Sequence, residues 1–137
     1  HDPELRIRVA TPIGMALLKI IAWNDRAANT RRKDAMDLQH LFASYTKIPE
    51  VQDAIYADEA LGNRHDWNID LMGSELLGKR ARTIAQEGTT NVILELTDST
   101  ERVESLAWEM ADASDAMLER STKLLAAFLR GFRGPVS

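Results

Sequence analysis

The chain has 137 residues, 45% hydrophobic and 28% charged, a composition that supports one folded core and excludes an intrinsically disordered protein. It has no cysteine, which excludes disulfides and thiolate metal sites, and His1, His40 and His65 are too far apart in sequence to suggest a ligand pair. The formal net charge of −4 argues against nonspecific duplex binding, which needs many phosphates neutralised, yet leaves room for one local basic pocket.

The chain opens on the polar stub His1-Asp2-Pro3-Glu4 rather than on methionine. Leu5-Arg6-Ile7-Arg8-Val9 then alternates apolar and basic residues at period two, which predicts a short half-buried strand. A lone strand needs partners, so residues 1–10 are read as the remnant of an absent N-terminal domain and residues 11–137 as a helical C-terminal domain. Thr11-Pro12 predicts a helix start, because threonine caps free amides and proline suits the first helical position. This first helix is expected to run to about Ala28, through the apolar stretch from Met15 to Trp23.

A second helix is expected from roughly Arg31 to Ser44, with Ala35, Leu38, Leu41, Phe42 and Tyr45 at helical spacing. Ile48-Pro49 opens a short third helix that ends before Gly62-Asn63, and a fourth runs from about Asp66 to Gln86 until Gly88 stops it. Gly73 and Gly78 inside the fourth helix each cost about 1 kcal/mol relative to alanine, so they mark close helix contacts. Thr90 to Leu96 fits helix or strand by periodicity, and helix is favoured. From Ser99, a stripe through Val103, Leu106, Met110, Met117, Leu124 and Phe128 predicts one long helix, or two with a bend near Ser114, leaving at Gly131 and Gly134-Pro135. Asp98-Ser99-Thr100-Glu101 is a capping motif at its start, and Arg130 and Arg133 suit a helix C-terminus. The fold class is mainly α: an irregular bundle of five or six helices with one short N-terminal strand.

Two features break local rules, which is where function is worth seeking. Lys19 is the only charge in Met15-Ala16-Leu17-Leu18-Lys19-Ile20-Ile21-Ala22-Trp23, and a buried ammonium is costly unless paired or turned toward a polar cavity. The plain alternative is a lysine whose stem packs while its amine reaches water. The second feature is Arg31-Arg32-Lys33-Asp34-Ala35-Met36-Asp37-Leu38, where three cations in a first turn oppose the helix dipole. At 100° per residue, Arg31 and Asp34 fall within roughly 60° of each other, inside the arc of Leu38, Leu41 and Tyr45, with Asp37 at its edge. These charges fit a structural knot of Arg31, Asp34 and Lys19, or basic groups facing a triphosphate with aspartates orienting them. A solvated face fits Lys33 best. Trp67 and His65 beside Asp66 fit helix-start packing better than an aromatic binding platform.

The run from Val9 to Arg26, followed by Arg31 to Leu38, resembles a family of nucleotidyltransferases related to the toxin of AbiEii/AbiGii abortive-infection systems. Members show a strand, a helix of the type leucine-leucine-lysine-leucine-x-alanine-tryptophan-x-aspartate-arginine, and then arginine-x-lysine-aspartate-x-x-aspartate-leucine. Met72-Gly73-Ser74-Glu75-Leu76-Leu77-Gly78-Lys79 resembles a segment downstream in the same proteins. The resemblance implies that Lys19 contacts nucleotide phosphates and that Lys33, Asp34 and Asp37 line the same site; Lys19, Asp34 and Asp37 are the catalytic candidates, and Lys19, Arg31 and Lys33 the nucleotide-binding ones. It further implies Mg2+ and a nucleoside triphosphate as cofactors of the full-length protein. The glycine-serine motif and metal-binding aspartate pair of the family have no match here, so no metal ligand is assigned, no cofactor is expected in this piece alone, and it is expected to be inactive by itself.

Implied partners are the triphosphate, an acceptor that is an RNA such as tRNA, a protein or a small molecule, the absent N-terminal domain, and either a second copy or a cognate antitoxin. No apolar run reaches the roughly 18 residues of a membrane span, and the N-terminus is unlike a signal peptide, so a soluble cytoplasmic protein is expected. A contrasting reading is a helical interaction module whose charge cluster is structural, motivated by the long apolar stripe from Val103 to Phe132.

Overall fold

The computed structural model describes residues 11–134, and the strand expected at Leu5 to Val9 lies outside them. The described residues form eight helices and no strand: α1 (Pro12–Asp25), α2 (Arg32–Tyr45), α3 (Pro49–Tyr56), α4 (Glu59–Arg64), α5 (Ile69–Ile84), α6 (Glu87–Thr97), α7 (Thr100–Met110) and α8 (Asp115–Arg133). The mainly α class holds, while the count exceeds five or six because two expected helices are divided and the short apolar segment is helical.

Each boundary has a local cause. The Thr11 hydroxyl accepts from the Gly14 amide at 3.2 Å, as a cap should, but α1 stops at Asp25 rather than Ala28 because Arg26 is extended. The third expected helix breaks at Asp58, whose carboxylate caps the Leu61 amide and opens α4, so Gly62 sits within a helix instead of ending one. Asp66 and Trp67 adopt φ of 52° and 59°, which delays α5 until Asn68 can cap it. Trp67 lays its ring against Gly62, as helix-start packing requires. Extended backbone at Ala85 and Gln86 ends α5, and Gly88 lies inside α6. The last stripe divides at Asp112 and Ala113, both left-handed, just before the bend expected at Ser114. Gly131 is likewise inside α8, whose exit is Gly134 at φ 85°.

The most extensive helix pair is α5 with α8. The two run in the same direction, with Asp70 meeting Arg120 at 2.8 Å near their starts and Arg82 donating to the Phe132 carbonyl at 2.7 Å near their ends. Their backbones touch: a Cβ at Gly78 would fall on the Phe128 carbonyl, and one at Gly131 on the Glu75 carbonyl. Gly73 faces the Thr46 side chain, so both glycines expected at close contacts stand at one. Around this pair, Trp23, Phe42, Phe128, Phe132, Leu38, Ile93 and Leu106 are fully buried, and the Phe42 and Phe128 rings lie 5.2 Å apart. Leu106, Leu124, Leu125, Phe128 and Phe132 therefore complete the chain's own core rather than an open seam. Among the described residues, no helix is long and apolar enough to cross a membrane.

Candidate functional site

In α1 the buried positions are Ala16, Ile20 and Trp23, a stripe at spacing four and three, and Lys19 falls on the same face beside Ile20. That face packs on α2, whose buried residues are Asp34, Ala35, Leu38, Phe42 and Tyr45. A lysine and an aspartate are thus carried inward by the apolar residues around them, and the pairing follows. Lys19 Nζ lies 2.8 Å from Asp37 Oδ2 and 3.7 Å from Asp34 Oδ1. Arg26, on the turn after α1, donates to the other Asp34 oxygen at 2.9 Å, and Lys33 reaches Asp37 at 3.1 Å.

Burial grades this cluster. The Asp34 side chain is only 4% exposed and forms its floor, Lys19 and Asp37 are partly exposed, and Lys33 stands 81% exposed. The hydrogen bond to Asp37 holds the Lys19 ammonium above its ordinary pKa against the opposing effect of burial, with the charges of Asp37 and Asp34 adding to it. Asp37 is held below the usual carboxylate range by Lys19 first and by Lys33, again against burial. Both groups stay charged across the physiological range. Two carboxylates hold three cations, and Arg26 and Lys33 remain free enough to turn toward an anion.

Lys19, Lys33, Asp34 and Asp37 therefore meet, whereas Arg31 points elsewhere. Its guanidinium grips Glu109 of α7 through Nε at 3.1 Å and NH2 at 2.8 Å, and it stacks 4.1 Å from the centre of the Trp23 ring. Glu109 also accepts from Trp23 Nε1 at 2.9 Å, and Arg102 covers the indole at 5.0 Å while donating to Asn24. The three cations that oppose the α2 dipole are each answered by an acid: Arg31 by Glu109, Arg32 by Asp112 at 3.2 Å, and Lys33 by Asp37. Sequence reasoning missed Arg26 and Glu109 as parts of this arrangement. Arg26 ends the lysine-helix motif and was legible there; Glu109 is 78 residues from Arg31, and nothing local signals it.

Cations and carboxylates at these distances are suited to presenting fixed positive charge to a phosphate. They do not suit a magnesium ion, because Asp34 and Asp37 already accept from cations and no three potential metal-ligating side chains gather among the described residues.

A second charged group forms where α5 crosses α8. Glu75 is buried and pairs with Arg64, with His65 Nε2 at 2.7 Å and with Arg130 at 3.5 Å. Burial pushes its carboxyl up, but the hydrogen bonds from Arg64 and His65 outweigh this and leave it below its ordinary value. A carboxyl with a lowered folded-state pKa stabilises fully above its unfolded value, and that contribution fades as pH falls through the folded one. In urea denaturation from about pH 7 down to about pH 3, Glu75→Gln is expected to be less stable than wild type at the neutral end and to lose less on acidification. Parallel pH curves for the two proteins would contradict this.

A family model described as "Nucleotidyl transferase AbiEii toxin, Type IV TA system" matches residues 1–133. No curated protein and no solved structure matches the chain.

Proposed function

The chain belongs to the AbiEii nucleotidyl transferase toxin family, and from that premise we propose that it forms one wall of a site that transfers a nucleoside monophosphate from a nucleoside triphosphate to an RNA, protein or small-molecule acceptor. Such a transfer makes a bond from an acceptor oxygen to the α-phosphorus and breaks the α–β linkage, so pyrophosphate leaves with growing negative charge. Lys19 is the residue placed to meet that charge, since it is partly exposed, kept protonated and aimed by two aspartates. Asp34 positions both Lys19 and Arg26, Asp37 positions Lys19 and Lys33, and neither aspartate needs to touch the reacting atoms. Arg31 acts through Glu109 and Trp23 to hold the start of α2 against α1 and α7. Metal ions, where the chemistry uses them, would be held by carboxylates outside the described residues. A cognate antitoxin is the partner that the family implies.

The observation that carries this reading is the convergence of three cations, Lys19, Arg26 and Lys33, on two carboxylates, Asp34 and Asp37, at a partly buried surface. Its test is transfer of labelled triphosphates by the full-length protein to a panel of acceptors. Lys19→Ala is expected to lower transfer by at least about 100-fold, the size of effect seen when a positioned electrostatic donor is removed. A Lys19→Ala/Asp37→Ala variant that folds and transfers at the wild-type rate would leave the cluster with a structural role alone.

A further inference from the structure

The charged group around Glu75 opens onto a cavity of about 730 Å³ at the end of the α5–α8 crossing. Because neither Gly78 nor Gly131 carries a Cβ, the two helices approach backbone to backbone, and this brings Lys79 of α5 beside Arg130 and Arg133 of α8. Arg64, from the end of α4, completes the rim. Four cations thus face one cavity with a single carboxylate, Glu75, in a chain whose net charge is −4. Arg64 and Arg130 are engaged by Glu75, whereas Lys79 and Arg133 have no ion-pair partner among the described residues.

Like charges gathered in a concavity repel one another, and Glu75 offsets this for Arg64 and Arg130 but not for Lys79 and Arg133. Helix-dipole attraction accounts for Arg130 and Arg133 at the end of α8 and for Arg64 at the end of α4, but not for Lys79, which sits within α5. Val103, Ala126 and Leu129 also line the cavity, so it offers apolar surface beside its cations. Its volume lies within the range of small-ligand sites, well above what one inorganic phosphate fills.

We propose that this cavity binds a phosphate-bearing small molecule of about nucleotide size, with its anionic group between Lys79, Arg130 and Arg133 and its apolar body over Val103 and Leu129. Glu75 is the positioning residue: buried beneath the cations, it holds Arg64 and Arg130 toward the opening as Asp34 holds Arg26 and Lys19 in the first site. The site is separate from the Lys19 cluster and does not depend on the transfer reading.

The test is titration of the isotope-labelled chain with inorganic pyrophosphate and with adenosine monophosphate, followed by amide NMR at fixed ionic strength. Saturable shifts are expected at Thr97, Gly131 and Gly134. Affinity should fall about tenfold in Lys79→Ala/Arg133→Ala, whose side chains are exposed and whose loss removes charge-assisted hydrogen bonds without disturbing the core. Lys19→Ala should bind both probes at this cavity as wild type does. Shifts that do not saturate, that sodium chloride reproduces, or that appear on α1 and α2 with none at the cavity would overturn the proposal. So would binding of an RNA oligomer where neither small phosphate binds, since that would make the cavity part of a polymer groove.

Discussion

Gly78→Val and Gly131→Val are each expected to destabilise the chain by at least about 3 kcal/mol, the upper part of the range for overpacking, and so to leave little of a typical domain's stability. The cause is the α5–α8 crossing, where the atoms that a new side chain would meet are backbone: the Phe128 carbonyl for Gly78 and the Glu75 carbonyl for Gly131. A side chain in the way can change rotamer, but a helix backbone can only move as a body. Separating these helices would also loosen Phe128, Phe132 and Leu77 against one another. Alanine at either position is expected to destabilise as well, since its Cβ alone falls on the facing carbonyl oxygen and the helix-propensity gain of roughly 1 kcal/mol does not offset that. Gly88 is the control, because nothing lies within 4 Å of its would-be Cβ. Urea midpoints should fall steeply for both valine variants and hold or rise for Gly88→Ala; a folded, wild-type-like Gly78→Val would refute the crossing.

Glu109→Ala is expected to cost about 3 kcal/mol, as breaking a buried ion pair does, although Glu109 carries no part of the proposed chemistry. Its carboxylate accepts from Arg31, whose side chain is 13% exposed, and from the indole of Trp23, which is fully buried. Removing it strands a guanidinium and an indole N–H away from water at the same time. Glu109→Gln keeps an acceptor for the indole but loses the charge, so about half of the effect should return. Denaturation midpoints and Trp23 indole N–H exchange by NMR read the two consequences separately. If Glu109→Ala matched wild type on both, the pairing would be incidental, and Arg31 would be free to join the Lys19 cluster.

How much of this was legible beforehand differs from element to element. Helix identity was legible almost throughout, because apolar residues recur at three and four and the spacing needs no partner to be seen. Boundaries were less so: the ends at Asp25 and Ile84 and the division at Asp58 depend on single backbone angles, and Asp66, Trp67, Asp112 and Ala113 take left-handed conformations that their residue types do not announce. Glycines placed in sequence as helix stops at positions 62, 88 and 131 all proved to lie within helices. A glycine is the same signal whether it ends a helix or lets another helix come close.

The sequence alone determined that Asp34 lies within the apolar arc of its helix and Asp37 at the edge of that arc, while Lys19 could equally pack its stem and reach water. It also determined the family, through two charged motifs that helix formation does not require. The tertiary structure alone decided what those charges meet. Arg31 left the cluster for Glu109, Arg26 joined it, and Glu75 collected Arg64, His65 and Arg130 from other helices. Periodicity is a property of one helix and can be read along the chain, but an ion pair between helices depends on how they cross, and that angle is set by the whole core at once.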